Sequence, residues 1–201
     1  MLLEKLKEDA VAVKTLNTYQ GNLDRILTEI RTVLTQVNEQ QIQSLTEGLL
    51  KSKKIVVVGA GRVGMAGKGF AMRLGHLGFQ AYMIGDATVP SIAQGDLLLV
   101  CSGSGETQTI YDLVVIAKKN GANVALITGN RESRMGQLAD TIVEIKAPSK
   151  IKPVAGFHSI QPMTTLNEQC LSIFFDAVVL QLMATMNETH DTMWHRHSNL
   201  E

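Results

Sequence analysis

Apolar positions recur at helical spacing over the first quarter of the chain and then give way to short, unbroken apolar runs. Leu2, Leu3 and Leu6 open one stripe, and Ile26, Leu27, Ile30, Val33, Leu34 and Val37 carry another. Recurrence every three to four residues is the mark of one helix face. Gly21-Asn22 predicts a break between two helices. Ile42, Leu45, Leu49 and Leu50 predict the inner face of a third, short helix. The pattern changes at Lys54-Ile-Val-Val-Val58, a β-branched run that reads as a strand covered on both faces, as parallel sheets require. Further strands are predicted at Ala81–Ile84, Asp96–Cys101, Asn123–Ile127 and Thr141–Ile145, with helices over 65–78, 107–119 and 133–139. Pro148–Ile160 predicts an irregular loop, and Pro162–Met186 a long apolar helix followed by a polar tail. Alternating strand, loop and helix predicts an α/β fold, a doubly wound five-stranded parallel sheet of flavodoxin-like type with helical extensions at both ends. One domain spans 1–201: helices over 1–51, the sheet core over 52–147, and the C-terminal helix and tail over 161–201.

Composition narrows the classes of function. Lys plus Arg total 19 and Asp plus Glu total 19 in 201 residues, a formal net charge of zero. A broad nucleic-acid or anionic-membrane surface needs a positive excess, so neither partner is expected. Aromatic residues make up 4%, too few for a base-stacking platform. No apolar run approaches the roughly 18 to 20 residues of a membrane span. The opening stretch, Met1 to Lys14, is charged every few residues and lacks the apolar core of a signal peptide. A cytoplasmic location is therefore expected. Cys101 and Cys170 are far apart and show no metal-ligand spacing; both are expected to be buried thiols.

Two glycine-rich loops carry the chemistry. Gly59-Ala-Gly-Arg-Val-Gly64 follows a strand and opens a helix, which fits the dinucleotide fingerprint, with Asp86 near the place of a ribose-binding acid. The same glycines suit any backbone that approaches a phosphate at a helix N-terminus, and Arg62 within the turn can pair with a phosphate or sugar oxygen. The second loop, Cys101-Ser-Gly-Ser-Gly-Glu-Thr107, also joins strand to helix. Ser102, Ser104 and Thr107 supply hydroxyls, while Gly103 and Gly105 let backbone N–H groups turn inward. That set suits a phosphate monoester, and a dinucleotide enzyme would not need this second nest.

The second loop and its preceding strand resemble the phosphosugar loop of sugar isomerase (SIS) domains. Within that superfamily the chain resembles the 6-phospho-3-hexuloisomerases. The resemblance rests further on Gly59-Ala-Gly-Arg62, Phe70-Ala-Met-Arg-Leu-Gly-His-Leu-Gly-Phe79, Gln161-Pro-Met-Thr-Thr-Leu-Asn-Glu168 and Arg196-His-Ser-Asn-Leu-Glu201, from about residue 40 to the terminus. Val63 replaces a small hydroxyl residue, and Thr164 and Asn167 depart from the usual Pro-Met-Gly-Thr-x-Phe-Glu.

The resemblance implies interconversion of a 6-phospho-3-hexulose and fructose 6-phosphate, with no cofactor and no metal. One base must move a proton between C2 and C3 of an enediol, and a donor must serve the oxygens. Glu168 is the candidate base: it matches the family's catalytic glutamate, and with Leu166, Leu171 and Ile173 nearby it is expected to be partly withdrawn from water. His197 is the candidate proton shuttle. Gly61, Arg62, Ser102, Gly103, Ser104, Gly105, Glu106 and Thr107 are the candidate substrate-binding residues, Glu106 in a shaping role. His76 stays outside the core set, although a neighbouring subunit could present it. Ser133 is read as a helix cap, and Met163 and Met183 as core packing. A homo-oligomer, a tetramer by resemblance, is expected, with sites at subunit contacts. A non-catalytic phosphosugar-binding module and a nicotinamide dehydrogenase are the competing readings.

Overall fold

The computed structural model describes residues 18–148 and 157–200. The helix expected around Leu2, Leu3 and Leu6, and most of the loop expected over 148–160, lie outside them. β1 (Ile55–Gly59), β2 (Ala81–Met83), β3 (Leu97–Cys101), β4 (Asn123–Thr128) and β5 (Thr141–Glu144) form one parallel sheet in the order β2-β1-β3-β4-β5. Among the described residues six helices accompany it: α1 (Tyr19–Leu34), α2 (Glu39–Lys51), α3 (Gly61–His76), α4 (Gln108–Lys119), α5 (Thr165–Met186) and α6 (His190–Trp194).

The sheet is parallel because its strands are apolar on both faces, and each face needs its own cover. Successive side chains point to opposite sides. Ile55, Val57, Leu97, Leu99, Ala125 and Ile127 pack with Phe70, Leu74, Phe174 and Leu182 in one layer. Val56, Val58, Leu98, Val100, Val124 and Leu126 meet Ile110, Val114, Ala117 and Met135 in the other. Phe70 of α3 stacks on Phe175 of α5, with centroids 4.1 Å apart and planes 6° from parallel. Each large apolar side chain so buried contributes about 1.5–3 kcal/mol. α5 is long and apolar enough, by length and composition, to cross a membrane, contrary to the reading that no run approaches that length. Here it packs on α1, α2 and α3.

Several expectations are corrected. Gly21-Asn22 does not break a helix: Thr18 caps α1, its Oγ1 accepting from Gly21 N, and the pair lies in the first turn. Leu50 is 39% exposed beside fully buried Leu49, because adjacent helical residues do not share a face. Residues 133–139 form turns and no helix, as the start of the segment is drawn outward: Arg134 N donates to Glu106 Oε1 and Met135 N to Gly105 O. The first glycine-rich turn is shorter than expected, because α3 already begins at Gly61. Gly64 is needed for close approach, since a Cβ there would collide with the carbonyl of Gly59.

The loop that leads into α5 is held by Glu29 of α1. Its carboxylate accepts from Ser159 Oγ (2.8 Å), Ile160 N (2.7 Å) and Gln161 Nε2 (3.0 Å). Desolvation pushes the Glu29 carboxyl up, but the bonds from Ile160, Gln161 and Ser159 outweigh it and leave it below its ordinary value. A group lowered on folding stabilises fully above its unfolded pKa and loses that contribution as pH falls through the folded one. Glu29→Ala is therefore expected to cost about 1–3 kcal/mol near neutrality. The gap from wild type should narrow below about pH 4, as melting temperatures measured across pH 3–7 would show.

Candidate active site

The strand order reverses between β1 and β3, and open parallel sheets present their ligand crevice at the C-terminal strand ends beside such a switch. Both glycine-rich loops emerge there. They and the start of α5 enclose a cavity of about 580 Å³, lined among others by Arg62, Ser102, Ser104, Thr107, Thr164 and Glu168.

Three helices start at this cavity. α3, α4 and α5 have Ala60, Thr107 and Thr164 at their N-caps, and none of these makes a side-chain cap hydrogen bond. The helices that begin elsewhere are capped by side chains: α1 by Thr18, α2 by Asn38 and α6 by Thr189. An N-terminus carries roughly half a positive charge and unsatisfied N–H groups. Three of them converging on one mouth make a strong anion site.

The Ser102–Thr107 loop is pre-shaped. Gly105 N donates to Ser102 Oγ (3.1 Å), and Glu106 N donates to Ser104 Oγ (3.2 Å). Gly105 has φ +67° and lies so close to Ser133 that any side chain would collide with it. Glu106 lines the cavity, but its carboxylate is engaged by Arg134, whose N donates to Oε1 (2.9 Å) and Nε to Oε2 (2.7 Å). The Arg134 backbone bond, then its side chain, hold the Glu106 carboxyl below its ordinary range. Sequence reasoning missed Arg134, for which no local signal exists. Ser133, read as a helix cap, instead supports Gly105 and accepts from Gly136 N.

Glu168 stands in the first turn of α5, with a side chain 13% exposed. Thr164 Oγ1 donates to its Oε1 at 2.8 Å. Arg62 Nε lies 3.1 Å from its Oε2, an ion contact without an aligned N–H, so Oε2 has no hydrogen-bond donor. Arg62 is itself 54% exposed. One carboxylate oxygen is thus oriented by Thr164, and the other is covered by the half-exposed Arg62 cation, whose Nη1 also donates to Thr165 Oγ1 (3.3 Å). Thr164 had registered in the sequence merely as a departure from pattern.

The remaining candidates lie elsewhere. His197 is not brought to Glu168 within one chain. Its ring lies 5.0 Å from that of Trp194 and 5.2 Å from that of His76, at the far end of α3. Fourteen helical residues place that end about 20 Å from Arg62. The tail is tied there by Arg196, which donates to His76 O (2.9 Å) and to both oxygens of Glu188. Asp86 pairs with Lys68 and does not line the cavity. Met163 is not core: it precedes α5 at φ +57° and is 82% exposed, because the chain must turn sharply to start the helix. Met183 does pack against the core. Cys101 is buried at the cavity floor, where desolvation pushes its thiol up to about 12; Cys170 is buried too. Among the described residues no group of three or more His, Cys, Asp or Glu is placed to hold a metal.

Comparison with known proteins agrees with the sheet. A SIS-domain profile matches residues 48–186. The chain belongs to the SIS-domain family. It is 39% identical over 176 residues to the 3-hexulose-6-phosphate isomerase of Bacillus subtilis, covering 88% of this chain and 95% of that one. It is 37% identical over 182 residues to the 3-hexulose-6-phosphate isomerase of Mycobacterium gastri, with 90% of each covered. A crystal structure from Methanococcus jannaschii, for which 3-hexulose-6-phosphate isomerase function has been inferred, superposes with a TM-score of 0.79 at 31% identity. It covers 90% of this chain and 99% of that one. The class is that of a sugar-phosphate isomerase.

Proposed function

We propose that this isomerase interconverts D-arabino-hex-3-ulose 6-phosphate and fructose 6-phosphate in the cytoplasm, with Glu168 as the base. The observation that carries the reading is the convergence of three uncapped helix N-termini on one cavity whose wall holds the Glu168 carboxylate. The names of the relatives support the same substrate. Ser102, Ser104 and Thr107, with the N–H groups of Gly103 and the start of α4, take the phosphate, while Gly105 supplies the left-handed turn that shapes the loop. Gly61 lets the backbone turn into α3, and Arg62 leaves Glu168 for the substrate oxygens. Oε2 then takes the proton from C2, and the electron pair forms the C2–C3 double bond of an enediol. The proton returns at C3 while the hydroxyl proton passes from the C2 oxygen to the C3 oxygen. Arg62 and the helix termini stabilise charge on the enediol oxygens. A coupled assay for fructose 6-phosphate starting from the 3-hexulose phosphate tests this reading. Binding without turnover would make the chain a phosphosugar-binding module instead.

His197 fits as the proton shuttle only from a second copy of the chain, because its own Glu168 is too far away. Arg62, Met65, Phe70, Met72, Glu168 and Phe175 line a groove of about 450 Å³ between α3 and α5, continuous with the site through Arg62 and Glu168. Exposed Met65, Met72, Ile173 and Leu180 lie on the same two helices. We place subunit contacts on this face, in a tetramer. Light scattering should give a mass well above that of one chain. Leu180→Glu, at a position 67% exposed, should lower that mass, and an active monomer would refute the arrangement.

A further inference from the structure

We infer that Asn167 is a specificity-determining residue that reads the sugar oxygens of the substrate. The inference rests on the reading of the cavity as a phosphosugar site. Asn167 is 5% exposed, buried in the first turn of α5 beside Glu168. Its carboxamide makes no hydrogen bond among the described residues, whereas buried amides are nearly always paired. Its polar atoms are not sealed off like Glu168 Oε2 but remain open to the cavity, where a ligand or water can reach them. The side chain lines the main cavity together with Ser102, Gly103 and Glu168. It lies against the phosphate-loop candidate itself, since a Cβ on Gly103 would stand 2.9 Å from Asn167 Oδ1.

The position suits a neutral reader of hydroxyls. A carboxamide both donates and accepts, as a carbinol does, and it adds no charge that would repel a phosphate. It stands between the anion site and the base, where the carbons of a bound phosphosugar must run. A second use of the group is also visible: Asn167 borders a chamber of about 10 Å³ with Thr128 and Ser102, roughly the space of one water. A role confined to anchoring such a water would support the fold without reading the substrate. The two roles separate by ligand.

The experiment is calorimetric titration of wild type, Asn167→Leu and Asn167→Ala with fructose 6-phosphate and with inorganic phosphate. Leu keeps the volume and removes the polar atoms; Ala serves if Leu does not fold. Loss of one neutral hydrogen bond should weaken fructose 6-phosphate about tenfold, with inorganic phosphate within about twofold. In the wild-type protein the side-chain amide resonances of Asn167 should shift with fructose 6-phosphate and stay in place with phosphate. Equal losses for both ligands, unchanged affinity for both, or amide resonances indifferent to the sugar would overturn the inference while wild-type turnover leaves the isomerase reading standing. A wild-type protein that binds no fructose 6-phosphate would overturn both.

Discussion

Glu168→Gln is expected to lower turnover of the 3-hexulose phosphate by about 10²- to 10⁴-fold, the usual cost of losing a general base. Affinity for fructose 6-phosphate should stay within a few-fold. Gln is nearly isosteric and can still accept from Thr164 Oγ1, which lies 2.8 Å from the native carboxylate. Removing the charge also releases Arg62, which faces Oε2 at 3.1 Å, so phosphosugar binding has no reason to weaken. Two measurements check this. Steady-state kinetics should show the loss in kcat with KM little changed. Proton NMR in D2O should show that the wild type exchanges the C3 proton of fructose 6-phosphate with solvent and that the variant does not. Turnover within about tenfold of wild type would remove Glu168 from the role of base.

Ser104→Asp should have the next largest effect, on binding. Ser104 Oγ accepts from Glu106 N at 3.2 Å, a role an aspartate oxygen can assume, so the loop keeps its turn and the change isolates the charge. A carboxylate about 5 Å from a bound phosphate costs roughly 3 kcal/mol at an effective dielectric constant near 20, or about a hundredfold in affinity. KM for the phosphosugar should rise by about that factor, with thermal stability nearly unchanged. An unaltered KM would show that the phosphate does not sit among these three helix termini.

Much of the architecture could be read from residue pattern, and the reason is local. Ile55–Val58 and Leu97–Cys101 are apolar without interruption, and only a strand covered on both faces hides such a run. The glycine and serine spacing of 102–107 likewise carries its own turn chemistry, and Gly105 does adopt the left-handed backbone such a loop needs. Pattern misled where a nearby cap, a distant partner or a backbone turn decided the outcome. Gly21-Asn22 stayed helical because Thr18 supplied a cap, and 133–139 stayed irregular because its groups were drawn to Gly105 and Glu106. Met163, apolar and beside an apolar helix, remained in solvent because of a backbone turn that side-chain type does not encode.

Residue types and their order were therefore enough to predict the parallel sheet and the tight turn of the 102–107 loop, since each expresses a short-range physical requirement, whereas Glu168 stood out only through the family resemblance. Folding alone settled which helix starts share one mouth, that Arg62 covers one oxygen of Glu168 while Thr164 orients the other, that Asn167 is buried against Gly103, and that His197 is carried to the opposite end of α3. Those relations join residues up to about 120 positions apart, and distances of that kind are created by packing the layers together, which no local run of sequence can specify.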